Sequence, residues 1–139
     1  MNKKIYYAEA CYSKEEILEV NKVLEEGRLA LMDGPKVKEL ESKVAVLFNK
    51  KYGLMVNSGS SANLMGILSL GLKKGTKVIT PSLTFSTTVS PIVQSGLIPL
   101  FVDVERDTLQ INTSILKEID LENVSAICVP NLIGNVANW

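Results

Sequence analysis

The residues best placed to do chemistry are Asn57-Ser58-Gly59-Ser60-Ser61-Ala62-Asn63, a run of small polar residues between two apolar stretches. If a helix starts here, its first turn presents unpaired N–H groups and roughly half a positive charge, so an anion placed there is stabilised. Gly59 lets backbone approach that anion closely, and the hydroxyls of Ser60 and Ser61 can donate further hydrogen bonds. The composition suits a phosphate. It is not a Walker loop, because no Gly-Lys-Ser/Thr follows, and it lacks the three glycines of a dinucleotide fingerprint. A nucleophile elbow would need glycine where Asn63 stands. Ordinary serine capping of a buried helix is the competing explanation.

A second polar run, Thr80-Pro81-Ser82-Leu83-Thr84-Phe85-Ser86-Thr87-Thr88, follows the next apolar stretch. Ligands of open α/β sheets gather beyond the carboxyl ends of the strands, where the two runs would meet. Phe85 can stack there on a flat heteroaromatic ring, against the simpler alternative of a core side chain. Asp103 and Asn131 end later apolar runs and face the same rim, with turn hydrogen bonding as the simpler role of each. Asp33 precedes a helix that it is placed to cap. None of the 13 lysines falls at a strand end in the rim, so no Schiff-base lysine is evident.

What the 139 residues lack narrows the chemistry further. Without histidine they cannot form a Ser-His-Asp triad or a His-ligated zinc site. Cys11 and Cys128 are far apart, which excludes a Cys-x-x-Cys pair and fits reduced thiols in a cytoplasmic protein, with a single long-range disulfide as the alternative. Fifteen basic residues balance fifteen acidic ones, leaving no electrostatic reason to expect nucleic acid or an anionic membrane as partner. The start of the chain turns polar before any apolar signal region develops, and Leu64 to Leu72 is about half the ~20 residues a membrane span needs.

The elements that must position these residues follow from periodicity. Ser13-Lys14-Glu15-Glu16 is a capping box before Ile17, Val20 and Leu24, and Gly27 is placed to end that helix in a left-handed conformation. Gly34-Pro35 opens a second helix, with Val37, Leu40, Val44, Leu47 and Phe48 on one face. Strands are expected at 53–56, 77–80, 100–104 and 125–129. Helices are expected at 60–72, at 85–95 with Pro91 interrupting it, and at 114–119 behind an Asn112 or Thr113 cap. Alternation of this kind gives an α/β fold, a mostly parallel sheet flanked by helices. The expected organisation is an N-terminal segment with the first helix over 1–33, then an incomplete domain over 34–139. An unfinished sheet would expose apolar surface and favour self-association. The alternative is a small complete flavodoxin-like domain.

The run from Gly34 to Asn135 resembles the pyridoxal-phosphate-dependent sugar aminotransferases of the DegT/StrS type, within the fold-type I aspartate aminotransferase superfamily. The matching pieces are Gly34-Pro35 with its glutamate-bearing helix and Asn57-Ser58-Gly59-Ser60-Ser61-Ala62. They continue with Gly75-x-x-Val78-Ile79-Thr80-Pro81-Ser82-x-Thr84-Phe85, Gly96-x-x-Pro99-x-Phe101-Val102-Asp103-Val104 and Gly134. The stretch Thr87-Thr88-Val89-Ser90-Pro91-Ile92 is similar to the branch containing nucleotide-sugar 3-dehydratases.

The resemblance implies the partial large domain of the aspartate aminotransferase-like fold, with pyridoxal 5'-phosphate as the cofactor of the parent enzyme. It implies that Gly59, Ser60 and Ser61 hold the cofactor phosphate, that Phe85 stacks on the pyridine ring, and that Asn131 occupies a rim position often filled by histidine. The family's pyridine-nitrogen aspartate and its lysine (histidine in the dehydratases) lie further along the chain than Trp139, so no catalytic residue is assigned and these residues alone are expected to be inactive. The implied parent reaction is amino transfer, typically from glutamate, to a nucleotide-linked keto sugar for surface polysaccharide, lipopolysaccharide or related glycan synthesis. Its active sites form between two subunits of a homo-oligomer. The rivals are 3-dehydration by the related branch and, from another class, a small non-catalytic phosphate-binding α/β module.

Overall fold

The computed structural model describes residues 4–6, 8–27, 29 and 31–139. The chain divides into two compact units, Met1–Met55 and Val56–Trp139.

The first unit holds α1 (Lys14–Glu26) and α2 (Pro35–Leu47). The capping box before α1 is complete: the Ser13 hydroxyl accepts from the Glu15 N–H at 3.0 Å, and the Glu16 carboxylate accepts from the Ser13 N–H at 2.6 Å. Gly27 ends α1, but with φ −98° it is not left-handed. Glycine is needed there for closeness instead, because a Cβ would lie 2.5 Å from the Val23 carbonyl oxygen. Gly34, not Asp33, is the N-cap of α2, and Asp33 forms a 3.7 Å ion pair with Lys38. Ion pairs join Glu19 of α1 to Lys22 at 2.6 Å and to Lys36 of α2 at 3.1 Å. Only Ala45 of these two helices is buried, so Ile17, Val20 and Leu24 of α1 and Leu40, Val44 and Leu47 of α2 stay exposed.

The strand expected over 53–56 does not form. A strand needs a partner ladder, and here the Met55 N–H donates to the Glu41 carboxylate at 2.7 Å instead. Gly53 lies so close to α2 that a Cβ would sit 2.5 Å from the Glu41 carbonyl oxygen.

The second unit is a three-stranded parallel sheet of β1 (Lys77–Pro81), β2 (Ile98–Val102) and β3 (Val124–Ile127), in the order β2-β1-β3. Helix α3 (Gly59–Ser69) precedes β1, α4 (Ser86–Gln94) crosses from β1 to β2, and the short α5 (Thr113–Leu116), capped by Asn112, lies between β2 and β3. Both sheet faces are covered. Ile67 of α3 and Ile92 of α4 pack with Val78 and Leu97 on one, while Ile79, Val102, Ile111 and Ala137 form the core of the other. Alternation along β1 explains the division, since Val78 and Ile79 point to opposite faces. Apolar residues remain exposed along the sheet at Ile98, Phe101 and Ile127. Pro91 sits inside α4 without ending it. Among the described residues, no helix is long and apolar enough to cross a membrane.

Candidate functional site

The parallel order puts the ends of β1, β2 and β3 at one edge of the sheet. Helix α4 joins two parallel strands and so runs back against them, and α3 lies alongside it in the same sense, Asn63 near Thr87 and Ile67 clustered with Ile92, so both first turns open at that edge. They lie side by side, with the Asn63 amide of α3 donating to the Thr87 carbonyl of α4 at 3.2 Å.

At the mouth of α3 the cap is Ser58, whose hydroxyl accepts from the Ser61 N–H at 3.1 Å. The Ser61 hydroxyl donates to Asn57 Oδ1 at 2.6 Å, and the Ser58 hydroxyl donates to Ser61 Oγ at 3.1 Å. Among the described residues, no protein acceptor pairs with the N–H groups of Gly59 and Ser60, and the Ser60 hydroxyl has no partner. No acidic side chain occupies the first turn of α3. Gly59 faces open space, with no atom within 4 Å of where a Cβ would stand. The result is a neutral set of unpaired donors at the positive end of a helix dipole, suited to an anion. Ser60 therefore has a free hydroxyl, whereas that of Ser61 is already committed within the turn.

Phe85 stands at the N-cap position of α4. It is 69% exposed, which removes the core-packing explanation of this side chain and leaves a ring face open. The first turn of α4 also lacks an acidic residue and a side-chain cap. The loop before Phe85 is braced from β2, since the Ser82 hydroxyl donates to the Asp103 carboxylate at 3.3 Å. Asp103 also accepts from the Val104 N–H at 2.8 Å, so it serves the strand-end turn.

Asn131 lies past the end of β3 at the same edge and is exposed. Its Oδ1 accepts from the Ala137 N–H at 3.4 Å, and Ala137 belongs to the core of the sheet face opposite α3 and α4. The structure thus brings the Gly59–Ser61 turn and the start of α4 together, while Asn131 leans to the other side of the sheet. Sequence reading missed Ser58 as the cap, although its i, i+3 spacing to Ser61 carried that signal. It also missed Asn57 as the acceptor for Ser61 and Asn63 as the link to α4, neither of which a local pattern marks. No group of three or more His, Cys, Asp or Glu among the described residues is arranged to hold a metal ion.

Comparison with known proteins fits this architecture. A GDP-4-keto-6-deoxy-D-mannose 3-dehydratase of Escherichia coli O55:H7 is 42% identical over 112 residues, covering 76% of this chain and 29% of that protein. The spore coat polysaccharide biosynthesis protein SpsC of Bacillus subtilis is 38% identical over 106 residues, covering 76% of this chain and 27% of that protein. A solved structure of E. coli GDP-4-keto-6-deoxy-D-mannose-3-dehydratase with bound hydrated pyridoxal phosphate superposes with a TM-score of 0.83 at 37% identity, over 91% of this chain and 34% of that one. The chain spans about a third of the length of these relatives. Residues 10–139 match the DegT/DnrJ/EryC1/StrS aminotransferase family, and the chain belongs to that family.

Proposed function

We propose that the chain is the phosphate-cup portion of a pyridoxal-phosphate-dependent enzyme acting on a nucleotide-linked keto sugar. The observation that carries this is the pairing of unfilled donors at Gly59 and Ser60 with an exposed aromatic at Phe85 on the adjacent helix mouth. That donor set fits the phosphate ester, and the ring fits a planar heterocycle. The Gly59 and Ser60 N–H groups and the Ser60 hydroxyl would bind the phosphate, Phe85 would cover one ring face, and the Asn131 amide would stand at the rim. When bound, the cofactor supplies an electron sink for bond breaking next to the sugar's keto carbon.

Of the two family chemistries, removal of the 3-hydroxyl is the reading we favour over amino transfer. It is supported by the 42% identity to a GDP-4-keto-6-deoxy-D-mannose 3-dehydratase and by the Thr87–Ile92 stretch. The parent would serve polysaccharide or lipopolysaccharide biosynthesis in the cytoplasm, as a homo-oligomer. Two free thiols, at Cys11 and Cys128, agree with a reducing compartment.

Titration of the purified chain with pyridoxamine 5'-phosphate, followed by amide and aromatic NMR shifts, tests the site. Saturable shifts at Gly59, Ser60 and the Phe85 ring are expected, and a Phe85 ring that does not respond would defeat the assignment. The branch is read by mass from the product of the protein carrying these residues, given GDP-4-keto-6-deoxymannose, pyridoxal phosphate and glutamate. A 3-deoxy keto sugar supports dehydration; an amino sugar supports transfer.

A further inference from the structure

We propose that Asn63 is a positioning residue that sets the separation between the anion-binding turn of α3 and Phe85 of α4, a role that rests on the cofactor reading above. The reason begins with Pro91. Proline has no N–H, so the carbonyl four residues earlier in α4, that of Thr87, loses its helical partner. The Asn63 amide supplies the missing donor, at 3.2 Å, from the neighbouring helix. A proline inside one helix thereby becomes a docking point for another.

The placement of this bond matters more than its strength. Asn63 stands one turn beyond Gly59–Ser61, and Thr87 stands two residues beyond Phe85. Among the described residues, no other hydrogen bond joins α3 to α4. Ile67 of α3 and Ile92 of α4, which share a buried apolar cluster with Val78 and Leu97, lie toward the far ends of both helices. Ile67 is about 6 Å along the axis from Asn63 at 1.5 Å per residue. Without the Asn63 bond the two helices keep their packing but lose the hydrogen bond nearest the two mouths, which can then move apart. A ligand that needs the donors and the ring together would feel that change, whereas a ligand that needs the donors alone would not.

Two variants and two probes separate positioning from plain stability. Pyridoxamine 5'-phosphate serves as the two-point probe, because its amine cannot condense with the chain's 13 lysines, and inorganic phosphate serves as the one-point probe. Asn63→Ala is expected to weaken pyridoxamine phosphate binding about fivefold, the share that ring stacking contributes, with phosphate binding unchanged. The double variant N63A/P91A regains an N–H for the Thr87 carbonyl within α4, so its thermal stability should return while its pyridoxamine phosphate affinity stays low. Pyridoxamine phosphate binding by N63A/P91A as tight as that of the unaltered chain would overturn the inference alone. An unaltered chain that binds pyridoxamine phosphate no better than inorganic phosphate would overturn the cofactor reading, and this inference with it.

Discussion

The first turns of α1 and α3 begin with the same device and end in opposite states. Each has a serine N-cap whose hydroxyl accepts a backbone N–H from the first turn. In α1 the Glu16 carboxylate then folds back onto the Ser13 N–H and hydroxyl, both at 2.6 Å, so the turn carries its own anion. In α3 the equivalent position is Ser61, whose hydroxyl turns away to Asn57, and two N–H groups stay open. A serine cap is therefore silent about binding. What decides is whether the third residue of the helix closes the mouth.

The largest effect should come from making α3 resemble α1. Ser61→Glu creates a capping box behind Ser58, and phosphate affinity measured by NMR titration is expected to fall at least about tenfold, or about 1.4 kcal/mol. The helix itself should melt no lower. Retained phosphate binding in that variant would erase the distinction between the two mouths.

A smaller effect sharpens the role of the ring. Phe85→Ala should weaken pyridoxamine phosphate binding by about 1 kcal/mol, or roughly fivefold, and leave inorganic phosphate binding unchanged. Because Phe85 is mostly exposed, the melting temperature should hardly move. Equal loss for both probes would place the ring's effect in the donors, not in stacking.

The smallest effect concerns pH. The Ser13 hydroxyl, and after it the Ser13 N–H, hold the Glu16 carboxyl below its ordinary value. A carboxyl lowered on folding contributes stability that is present above the unfolded glutamate range and is lost as pH falls through the folded value. Protection of the first-turn amides of α1, taken relative to the intrinsic exchange rate at each pH, should therefore fall on acidification below the ordinary glutamate range, and Glu16→Gln should abolish that response. The first turn of α3, with no acid, should show none.

These contrasts also explain what was legible in the sequence. Ser13-x-x-Glu16 is a local pattern and reads correctly, as do the helices after it and the three strands that find partners. The 53–56 strand failed because an apolar run signals extended backbone but not a ladder, and Glu41 captured Met55 from a helix far back in the chain. Gly27 was read for its conformational freedom when the Val23 carbonyl demands only its small size. The serine run and Phe85 could be singled out as candidates. Their meeting at one edge depends on crossover direction and on the Asn63–Thr87 contact, which no spacing within either run encodes.

The central place of β1 bears on the order of assembly. Its partner residue in β2 for Lys77, Ile98, lies less than half as far along the chain as Val124, its partner in β3. Each doubling of a closed loop adds only about 0.6 kcal/mol of entropy, yet during synthesis the nearer ladder also emerges first. The open donors of α3, the Phe85 ring and the β1–β2 ladder all fall within residues 57–102, so a ribosome delivers most of this candidate edge before the third strand exists.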